Sequence, residues 1–471
     1  MAEKTTCGGV SRFSQPSSSP AGTISPCSGG RYVRLELHDQ GGMGRVWVAH
    51  DTGLERDVAL KELHPELAEN PSYLARFLRE ARITGQLEHP GVVPIYELAQ
   101  SDNAPHPFYT MRFVRGRTLT QACLVYHQKR RAGEDAPLDL SVLLHAFVMV
   151  CNTVSYAHSR GVIHRDLKGQ NVILGDFGEV VVLDWGLAKL VEPPESLEEA
   201  GPVARRNESY DPILTEPGQA LGTPASMAPE QAAGRLDQID HRTDIYGLGA
   251  ILYEILTGQS PFSGSSAGEV LRKVRDEQPR EPRHVCPGAP PGLESVCLRA
   301  LAKKPEDRYP TAKEMADAVQ QWQEAERRQA EEALRASEER YRLLADAIPQ
   351  IVWTTGLNGS NEYLNQRWYE YTGSTPDQSS GYGWMEMLHP DDRVATTEEW
   401  ARARARAESF EAEYRLRRAD GSYRWHLVRA MPLRDINGRI VKWFGTCTDI
   451  DDRKRAEQER EGTPGRTRRC T

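Results

Sequence analysis

The chain has 471 residues, enough for two domains at about 150 residues each, and its 39% hydrophobic and 27% charged residues are ordinary for a soluble globular protein. The formal net charge of −8 is modest and gives no reason to expect nucleic acid or an anionic membrane as a partner. The eight cysteines include no Cys-x-x-Cys pair, which argues against a zinc site and a disulfide framework and fits a reducing cytosol.

Residues 1–30 are rich in Ser, Pro and Gly and poor in large apolar groups, so we expect a disordered leader. This leader lacks the charged-then-apolar layout of a secretory signal. No run further along approaches the roughly 18 uninterrupted apolar residues of a membrane helix. The best stretch, from Leu143 to Val150, is short and contains His145. The sequence therefore predicts a cytoplasmic protein without a membrane partner.

The region from 31 to about 96 has apolar residues at strand spacing and then, over Tyr73 to Leu87, at helical spacing. From 138 onward helical patterns dominate, most clearly over Val142–His158, Gln238–Thr257 and Glu294–Leu301. We therefore expect an α+β domain over 31–325, in which a small β-rich lobe precedes a larger helical lobe.

A run without Gly or Pro follows Pro310 and ends at Pro349, which predicts one helix from about Ala312 to Ile348. Residues 326–340 of this helix form the predicted linker between domains. Its apolar stripe is compatible with a plain amphipathic helix and with a short coiled coil through which two copies pair. The stripe consists of Ala330, Leu334, Ser337, Tyr341, Leu344 and Ile348.

Beyond Pro349 the pattern changes to that of half-buried strands, and we expect a second domain over 341–453. Alternation is clearest from Phe410 to Leu416, and Asp420-Gly421 and Asn437-Gly438 are turn signals between later strands. Residues 454–471 form a charged tail for which the sequence predicts no structure.

Four segments of the first domain carry motifs with a chemical meaning. The segment LHDQGGMGRVWVAHDTGLERDVALKEL, over 37–63, contains a glycine-rich turn whose backbone no Cβ shields from a ligand, and then a strand lysine, Lys61. A helix, RFLREARITGQLEHP, places Glu80 nineteen residues after Lys61. The octad His-Arg-Asp-Leu-Lys-Gly-Gln-Asn spans 164–171. Asp184-Trp185-Gly186 follows the apolar strand VVVL.

In this order and spacing the four segments resemble bacterial (Hanks-type) serine/threonine protein kinases, which implies the bilobal kinase fold. The resemblance implies that Asp166 accepts the substrate hydroxyl's proton, that Lys168 offsets charge on the γ-phosphate, and that Lys61, paired with Glu80, holds the α- and β-phosphates. Asn171 and Asp184 would bind Mg²⁺. The implied cofactors are ATP and Mg²⁺, and the implied partners are proteins that carry Ser or Thr.

The same resemblance implies a nucleotide site in which Met111 is the gatekeeper and residues 112–114 are the hinge to adenine. Asp39 stands where the family usually has the first glycine of its loop, and Trp185 replaces the usual Phe. The residues implied to contact the nucleotide are Gly41, Gly42, Gly44, Val46, Ala59, Lys61, Met111, Phe113 and Val114.

A literal Asp176-Phe177-Gly178 also occurs, but we reject it as the metal-binding triad. It follows Asn171 by only five residues, which leaves no room for a strand pair before it. Its neighbours Gly175 and Glu179 are typical of a hairpin tip between Val172–Leu174 and Val180–Leu183.

Further positions match the family in order. Gly222-Thr223-Pro224 and Ala228-Pro229-Glu230 close the activation segment. Asp244 matches the aspartate that braces the catalytic loop, and Arg308 the arginine that pairs with Glu230. Arg165 is of the kind that pairs with a phosphorylated residue in that segment. Thr215 is the favoured phosphorylation site, ahead of Ser209 and Tyr210.

The second domain resembles PAS domains, on the segments IVWTTGLNGSNEYLNQRWYEYTG, GWMEMLHPDDR and EYRLRRADGSYRWHLVRAMPLRDINGRIVKWFGTCTDI. The resemblance implies a sensory or dimerising role with no identified ligand. His389 is interpreted as part of a helix start rather than as a haem ligand, and no phosphoacceptor histidine helix follows His426.

Two hypotheses on the whole protein remain open. The first is an active kinase regulated by the PAS domain through the helix, as a homodimer. The second is a catalytically weak scaffold, favoured by Asp39 and Trp185. For the PAS domain itself, the alternative is a remnant of a longer sensor.

Overall fold

In the computed structural model, which describes residues 26–27, 31–99, 107–134, 137–190 and 223–461, the chain divides into two units, Met1–Ala325 and Glu326–Thr471. Each unit has its own buried apolar clusters. The predicted leader, residues 191–222 and the end of the tail lie outside the described residues, apart from the strand at 26–27.

The N-terminal part of the first unit is a six-stranded sheet in which every pair is antiparallel, in the order β1-β2-β3-β4-β6-β5. Helix α2 packs beside it. This helix begins where the Asn70 side chain accepts a hydrogen bond from the Ser72 amide, and it buries Phe77 and Ala81 against the sheet. The elements are β1 (Pro26–Cys27), β2 (Tyr32–Gln40), β3 (Gly44–Asp51), β4 (Arg56–Leu63), α1 (Pro65–Ala68), α2 (Pro71–Gln86), β5 (Ile95–Ala99) and β6 (Phe108–Arg112).

The rest of the first unit is mainly helical, and the predicted β-rich and helical lobes are confirmed. The elements are β7 (Gly116–Thr118), α3 (Leu119–Arg131), α4 (Pro137–Ser159), β8 (Val162–Ile163), β9 (Val172–Gly175), β10 (Val180–Val182), β11 (Lys189–Leu190), α5 (Pro229–Ala232), α6 (His241–Thr257), α7 (Ala267–Asp276), α8 (Pro282–Val285) and α9 (Pro291–Ala300). Short 3₁₀ turns cover Gly169–Asn171, Pro224–Ser226, Leu236–Gln238 and Pro305–Asp307.

Helix α6 runs through the centre of this lobe and is buried on nearly every side. The Asp240 side chain caps its first turn by accepting from the Arg242 amide. Gly258 ends it in the left-handed conformation, with φ of 72°. A core helix of this kind is apolar all round because protein surrounds it.

Helix α4 packs on α6, and its segment Asp139–Ser159 is long and apolar enough, by length and composition, to cross a membrane. The count of uninterrupted apolar residues did not indicate this, because scattered polar residues interrupt the run without making the helix polar. Most of its large apolar side chains lie in the core of the first unit, so packing accounts for its composition.

The predicted hairpin is present. Strands β9 and β10 are antiparallel, with Val180 opposite Leu174, and Asp176-Phe177-Gly178 forms the turn between them. The Phe177 side chain is 95% exposed, and Gly178 has a φ of 88°.

Helix α10 spans Ala312–Ala347 and includes the residues at which the two units divide. Its first turns bury Met315, Ala316 and Val319 in the core of the first unit. The predicted stripe lies further along and is exposed, with Leu334 and Tyr341 at 61% and 65%.

The second unit contains a five-stranded antiparallel sheet in the order β13-β12-β16-β15-β14. Both predicted turns are present, with Gly421 and Gly438 at positive φ. The charged tail, for which no structure was predicted, begins within helix α14 (Asp451–Glu461). The elements are β12 (Ile351–Thr355), β13 (Asn361–Leu364), α11 (Gln366–Thr372), α12 (Pro376–Ser379), a 3₁₀ turn (Gly383–Met387), α13 (Pro390–Arg406), β14 (Phe410–Arg417), β15 (Tyr423–Arg434), β16 (Ile440–Asp449) and α14 (Asp451–Glu461).

Candidate active site

The loop between β8 and β9 carries the octad, and one buried carboxylate on α6 holds its backbone. Asp244 accepts hydrogen bonds from the amides of His164 and Arg165, each at 2.8 Å, and lies 2.8 Å from His158 Nε2. Arg165 has a φ of 68°, a conformation that is costly for a side chain with a Cβ. The Gln231 side chain donates to the Arg165 carbonyl at 2.8 Å. These contacts from α6 and α5 hold the strained backbone in place.

Asp166 lies at the centre of the loop, and its carboxylate and backbone carbonyl accept hydrogen bonds from three residues. Its Oδ1 accepts from the Thr223 amide at 3.1 Å, and its Oδ2 accepts from Lys168 Nζ at 2.8 Å. Lys168 also donates to Thr223 Oγ1 at 2.6 Å. The Asn171 amide nitrogen donates to the Asp166 carbonyl at 2.9 Å. The structure thus brings together the predicted base, its lysine and the predicted metal-binding amide.

A second cluster joins the sheet to helix α2. Lys61 Nζ on β4 donates to Glu80 Oε1 at 2.6 Å and lies 3.8 Å from Asp184 Oδ1. The hydroxyl of Tyr109, on the neighbouring strand β6, donates to the same Glu80 oxygen at 2.7 Å. Helix α2 packs on this sheet, and that packing places Glu80 over Lys61.

The charges of this cluster support one another. Burial opposes the charged form of Lys61, but Glu80, Tyr109 and Asp184 outweigh it and hold the pKa of Lys61 well above its ordinary value. Burial also opposes ionisation of Asp184, but Lys61 and His164 keep the pKa of Asp184 below its usual range. At neutral pH the ammonium and the carboxylate are both charged.

Trp185 fills the place that the sequence predicts for a large aromatic residue. Its ring is buried, packs 4.6 Å from the His164 ring and donates from Nε1 to the Val182 carbonyl at 3.3 Å. Asp184, just before it, has a φ of 62°. The neighbouring Gly186 carbonyl accepts from Arg76 on α2 at 3.1 Å.

The glycine-rich turn connects β2 and β3 beside this cluster. A Cβ at Gly44 would lie 2.1 Å from the Glu62 carbonyl oxygen on β4, so strand packing itself requires glycine there. At Gly41 and Gly42 a Cβ would meet no atom of the described chain within 4 Å. Asp39 is exposed, and its carboxylate accepts from the Gln40 amide at 2.8 Å.

The predicted nucleotide-contacting residues lie on three strands and the segment after them. Val46 on β3 pairs with Lys61, and Ala59 on β4 pairs with Met111 on β6. Met111 packs in the same apolar cluster as Phe77 and Tyr109. Phe113 and Val114 follow β6 and are half-buried.

One further predicted contact and one group of residues complete the comparison with the sequence. Glu230 and Arg308 form a buried pair with two parallel hydrogen bonds, of 2.9 and 2.8 Å. Burial opposes ionisation of Glu230, but hydrogen bonds from Arg308 keep the pKa of Glu230 low. Ser209, Tyr210, Thr215 and Gly222 lie outside the described residues.

The oxygen atoms of Asp184 and Asn171 fit the ligand preference of Mg²⁺. The Asn171 nitrogen is engaged by the Asp166 carbonyl, so its side-chain oxygen is the atom that remains for a cation. Within the described ranges no group of three or more His, Cys, Asp or Glu could hold a metal ion.

Sequence reasoning missed Tyr109 and a cavity beside the octad. Tyr109 looked like an ordinary strand residue, since strand periodicity says nothing about which atom a tyrosine hydroxyl meets.

The cavity, of about 80 Å³, is lined by Lys168 and Thr223 together with Thr120, Gln170, Ser226 and Glu254. Burial raises the pKa of Glu254.

The second unit has a cavity of its own, of about 30 Å³, lined by four tryptophans, namely Trp353, Trp368, Trp384 and Trp400. A Cβ at Gly445 would lie 2.2 Å from the Trp353 ring, so glycine lets this ring lie on β16. Thr355 lines it as well, and within the described chain the buried atoms Thr355 Oγ1 and Trp384 Nε1 have no hydrogen-bond partner. About 10–15 Å³ is enough for one water molecule, so the cavity has room for about two.

His389 and His426 lie apart from this cavity. His389 caps α13, where Nδ1 accepts from the Asp391 amide at 3.3 Å, in agreement with the predicted helix start. His426 is buried on β15, 4.9 Å from the Tyr371 ring, and burial lowers its pKa.

Comparison with known proteins defines the class to which this fold and site belong. The protein kinase domain family matches residues 32–337, so the chain belongs to the protein kinase family. The PAS fold family matches residues 361–447, within the second unit. The predicted recognition and fold class are both confirmed.

Among the similar proteins are serine/threonine-protein kinases named PknD from chlamydial bacteria. The chain is 37% identical over 300 residues to that of Protochlamydia amoebophila (strain UWE25) and 39% identical over 297 residues to that of Chlamydia felis (strain Fe/C-56). Both alignments cover 62% of this chain, and this chain spans only 30% and 31% of those relatives.

A solved structure, the kinase domain of Mycobacterium tuberculosis PknI, is 25% identical and aligns with 62% of this chain and 96% of its own, with a TM-score of 0.44.

Proposed function

We propose that this chain is a protein serine/threonine kinase that transfers the γ-phosphate of Mg-ATP to Ser or Thr hydroxyls of proteins. The observation that carries the proposal is the convergence of Asp166, Lys168 and Asn171 in one loop, beside the charged cluster of Lys61, Glu80 and Asp184. Phosphoryl transfer depends on orienting the acceptor hydroxyl and neutralising the phosphate charge more than on covalent catalysis. The loop residues would orient the hydroxyl, and the charged cluster would neutralise the phosphates.

The acceptor hydroxyl would lie against Asp166, whose carboxylate takes the proton as the oxygen attacks. Lys168 is held between Asp166 and Thr223, and from there its ammonium offsets charge on the phosphoryl group. Lys61, fixed by Glu80, would bind the α- and β-phosphates. The cavity beside Lys168 and Thr223 offers room for a side chain next to the acceptor residue.

Asp184 and Asn171 would hold Mg²⁺, and its positive charge would offset the negative charge of the phosphates. Gly41, Gly42, Gly44, Val46 and Ala59 would cover the nucleotide, with Met111, Phe113 and Val114 at its adenine.

The proposal is tested by incubating the full chain with radiolabelled Mg-ATP, alone and with a general protein substrate, and by identifying the labelled amino acids. We expect label on serine or threonine, and a decrease of at least about 100-fold in Asp166→Asn, the low end for a positioned general base. A folded wild-type chain that binds Mg-ATP but transfers no label would favour the scaffold instead. Unchanged turnover in Asp166→Asn would remove Asp166 from the mechanism.

We also propose that the kinase phosphorylates its own activation segment, with Thr215 ahead of Ser209 and Tyr210. Arg165 precedes the catalytic aspartate, and a phosphate in the segment could pair with it and order the substrate-binding surface. Mass spectrometry of the active enzyme should find phosphate in the segment between Gly186 and Ala228. An active enzyme without phosphate there would contradict this.

For the second unit we propose regulation of the kinase through α10 in a homodimer. The exposed stripe and the cavity with two unpartnered buried polar atoms support a role in pairing and in receiving a small molecule. The full chain and a chain ending at about Arg328 should differ in association state, beyond the mass of the deleted residues, or in autophosphorylation rate over a concentration series. Identical behaviour in both tests would favour the remnant hypothesis.

A further inference from the structure

We infer that Tyr109 is a positioning residue for phosphoryl transfer, because its hydroxyl fixes the Glu80 carboxylate that in turn orients Lys61. The inference rests on the proposed kinase activity. Tyr109 lies on β6 and is 3% exposed, and its hydroxyl donates to Glu80 Oε1 at 2.7 Å. Lys61 Nζ donates to the same oxygen at 2.6 Å.

The two donors meet one oxygen from different directions. In the described chain, Glu80 Oε2 is buried and has no hydrogen-bond partner, so the side-chain hydrogen bonds that orient this carboxylate are those of Oε1. The terminal torsion of a glutamate is soft and has broad minima. With Lys61 alone, the carboxylate and the ammonium could turn together, because the lysine side chain is flexible too. A second donor attached to the sheet removes that freedom.

The packing around Tyr109 makes it a rigid support. Tyr109 pairs with Lys61 in the β4–β6 ladder, so the lysine and the tyrosine start from directly opposite positions. Its ring packs 5.2 Å from the Phe77 ring, and Phe77 lies on α2 one turn before Glu80. Tyr109 therefore contacts the strand that carries Lys61 and the helix that carries Glu80.

The tyrosine can act only as a donor here. Burial and the neighbouring Glu80 charge raise the pKa of Tyr109 well above its ordinary value, so the hydroxyl keeps its proton over the working pH range. Tyr109 touches none of the reacting groups. Its effect passes through Glu80 and Lys61, which separates it from the catalytic residues.

The test is Tyr109→Phe, which removes the hydroxyl and keeps the ring. Hydrogen bonds to charged groups are the stronger kind, so we expect kcat/KM for Mg-ATP to fall at least about tenfold. Tyr32→Phe is the matched control. Tyr32 is 1% exposed on the same sheet, and its hydroxyl donates to Glu97 Oε2 at the same distance, 2.7 Å, but Glu97 does not contact Lys61. We expect the control to stay within about twofold of wild type.

A double-mutant cycle separates positioning from a general structural role. In a Glu80→Ala background the Tyr109 hydroxyl has no side-chain oxygen to orient, so adding Tyr109→Phe should cost less than about twofold. A tenfold loss that persists in that background would overturn the inference, as would wild-type kinetics in Tyr109→Phe alone.

Amide hydrogen exchange gives a readout that does not depend on activity. Tyr109→Phe should speed exchange over the turn of α2 around Glu80, and Tyr32→Phe should not. Unchanged exchange in Tyr109→Phe would count against the inference. If Tyr109→Phe exchanges faster than wild type around Glu80 but the wild-type chain transfers no phosphate, only the proposed kinase activity would be overturned.

Discussion

Asp184 and Asp176 lie on either side of strand β10, and each begins a triad of Asp, an aromatic residue and Gly. Asp184 is held beside Lys61, with Trp185 buried behind it, whereas Asp176 lies at the tip of a hairpin whose Phe177 is exposed. Chain spacing favoured Asp184 before any contact was known, and the packing gives the physical reason.

We predict that Asp184→Ala abolishes phosphoryl transfer and that Asp176→Ala changes it less than about twofold, since carboxylates at exposed turns interact mainly with water. The measurement is the initial rate of transfer from radiolabelled ATP over a series of Mg²⁺ concentrations. The reverse pattern would show that the metal-binding triad is Asp176-Phe177-Gly178.

Asp244 makes the catalytic loop sensitive to acid. Burial opposes its charge, but hydrogen bonds from His158 and from the His164 amide outweigh burial and keep the pKa of Asp244 below its ordinary value. The unfolded chain therefore takes up this proton at a higher pH than the folded one. The resulting stability is present above the unfolded pKa, near 4, and is lost as pH falls through the lower folded pKa.

We predict that Asp244→Asn lowers the free energy of unfolding of the kinase unit by about 2 kcal/mol or more at neutral pH, because an amide cannot accept from all three donors. The difference between variant and wild type should shrink as pH falls below about 4. Thermal unfolding over a pH series measures both effects. A difference that stays constant with pH would contradict the role given to the charge.

At the scale of elements, the glycines in the turn between β2 and β3 differ in whether packing of the chain itself requires them. Gly44 is required by the chain itself, since a Cβ would collide with the Glu62 carbonyl of β4. Gly41 and Gly42 face space in which the described chain has no atom within 4 Å of the added Cβ. If glycine is required at Gly41 or Gly42, we expect the reason to be a bound ligand that a Cβ would obstruct.

We predict that Gly44→Ala costs about 1–3 kcal/mol of stability through overpacking, while Gly42→Ala leaves the stability within about 0.5 kcal/mol of wild type. Gly42→Ala should nevertheless raise KM for ATP if the turn lies over the phosphates. Thermal unfolding and ATP titration of the two variants check this. Equal loss of stability would show that the turn packs differently.

At the scale of the whole molecule, the stripe of α10 carries a series of apolar residues that the described chain leaves exposed. Leu334 and Leu344 belong to the stripe, with exposures of 61% and 60%, while Leu343 is equally exposed, at 63%, but lies off it. Apolar residues at this spacing are typical of helices that pair along a seam.

We predict that Leu334→Asn with Leu344→Asn shifts the full chain toward monomer and slows autophosphorylation at low protein concentration. Leu343→Asn, the matched control, should change neither. Light scattering and a concentration series of the autophosphorylation rate make the comparison. Equal association of all three proteins would mean that the stripe does not pair.

The sequence by itself determined the class of the protein, because the evidence for it is local. The octad at 164–171, the spacing from Asn171 to Asp184, the turn at Asp420-Gly421 and the alternation from Phe410 to Leu416 each depend on residues close together in the chain. They identified the family and both folds, and they predicted the hairpin at whose tip Asp176 lies.

Only the tertiary structure decided which distant side chains meet. Tyr109 reaches Glu80 because α2 packs on β6, and Asp244 reaches His164 because α6 runs beneath the loop. The Gly44 requirement depends on β4, and the apolar residues of α4 are explained by the helices that cover it. Periodicity shows that a residue is buried, but the neighbour it meets is set by how the elements pack, which no local spacing contains.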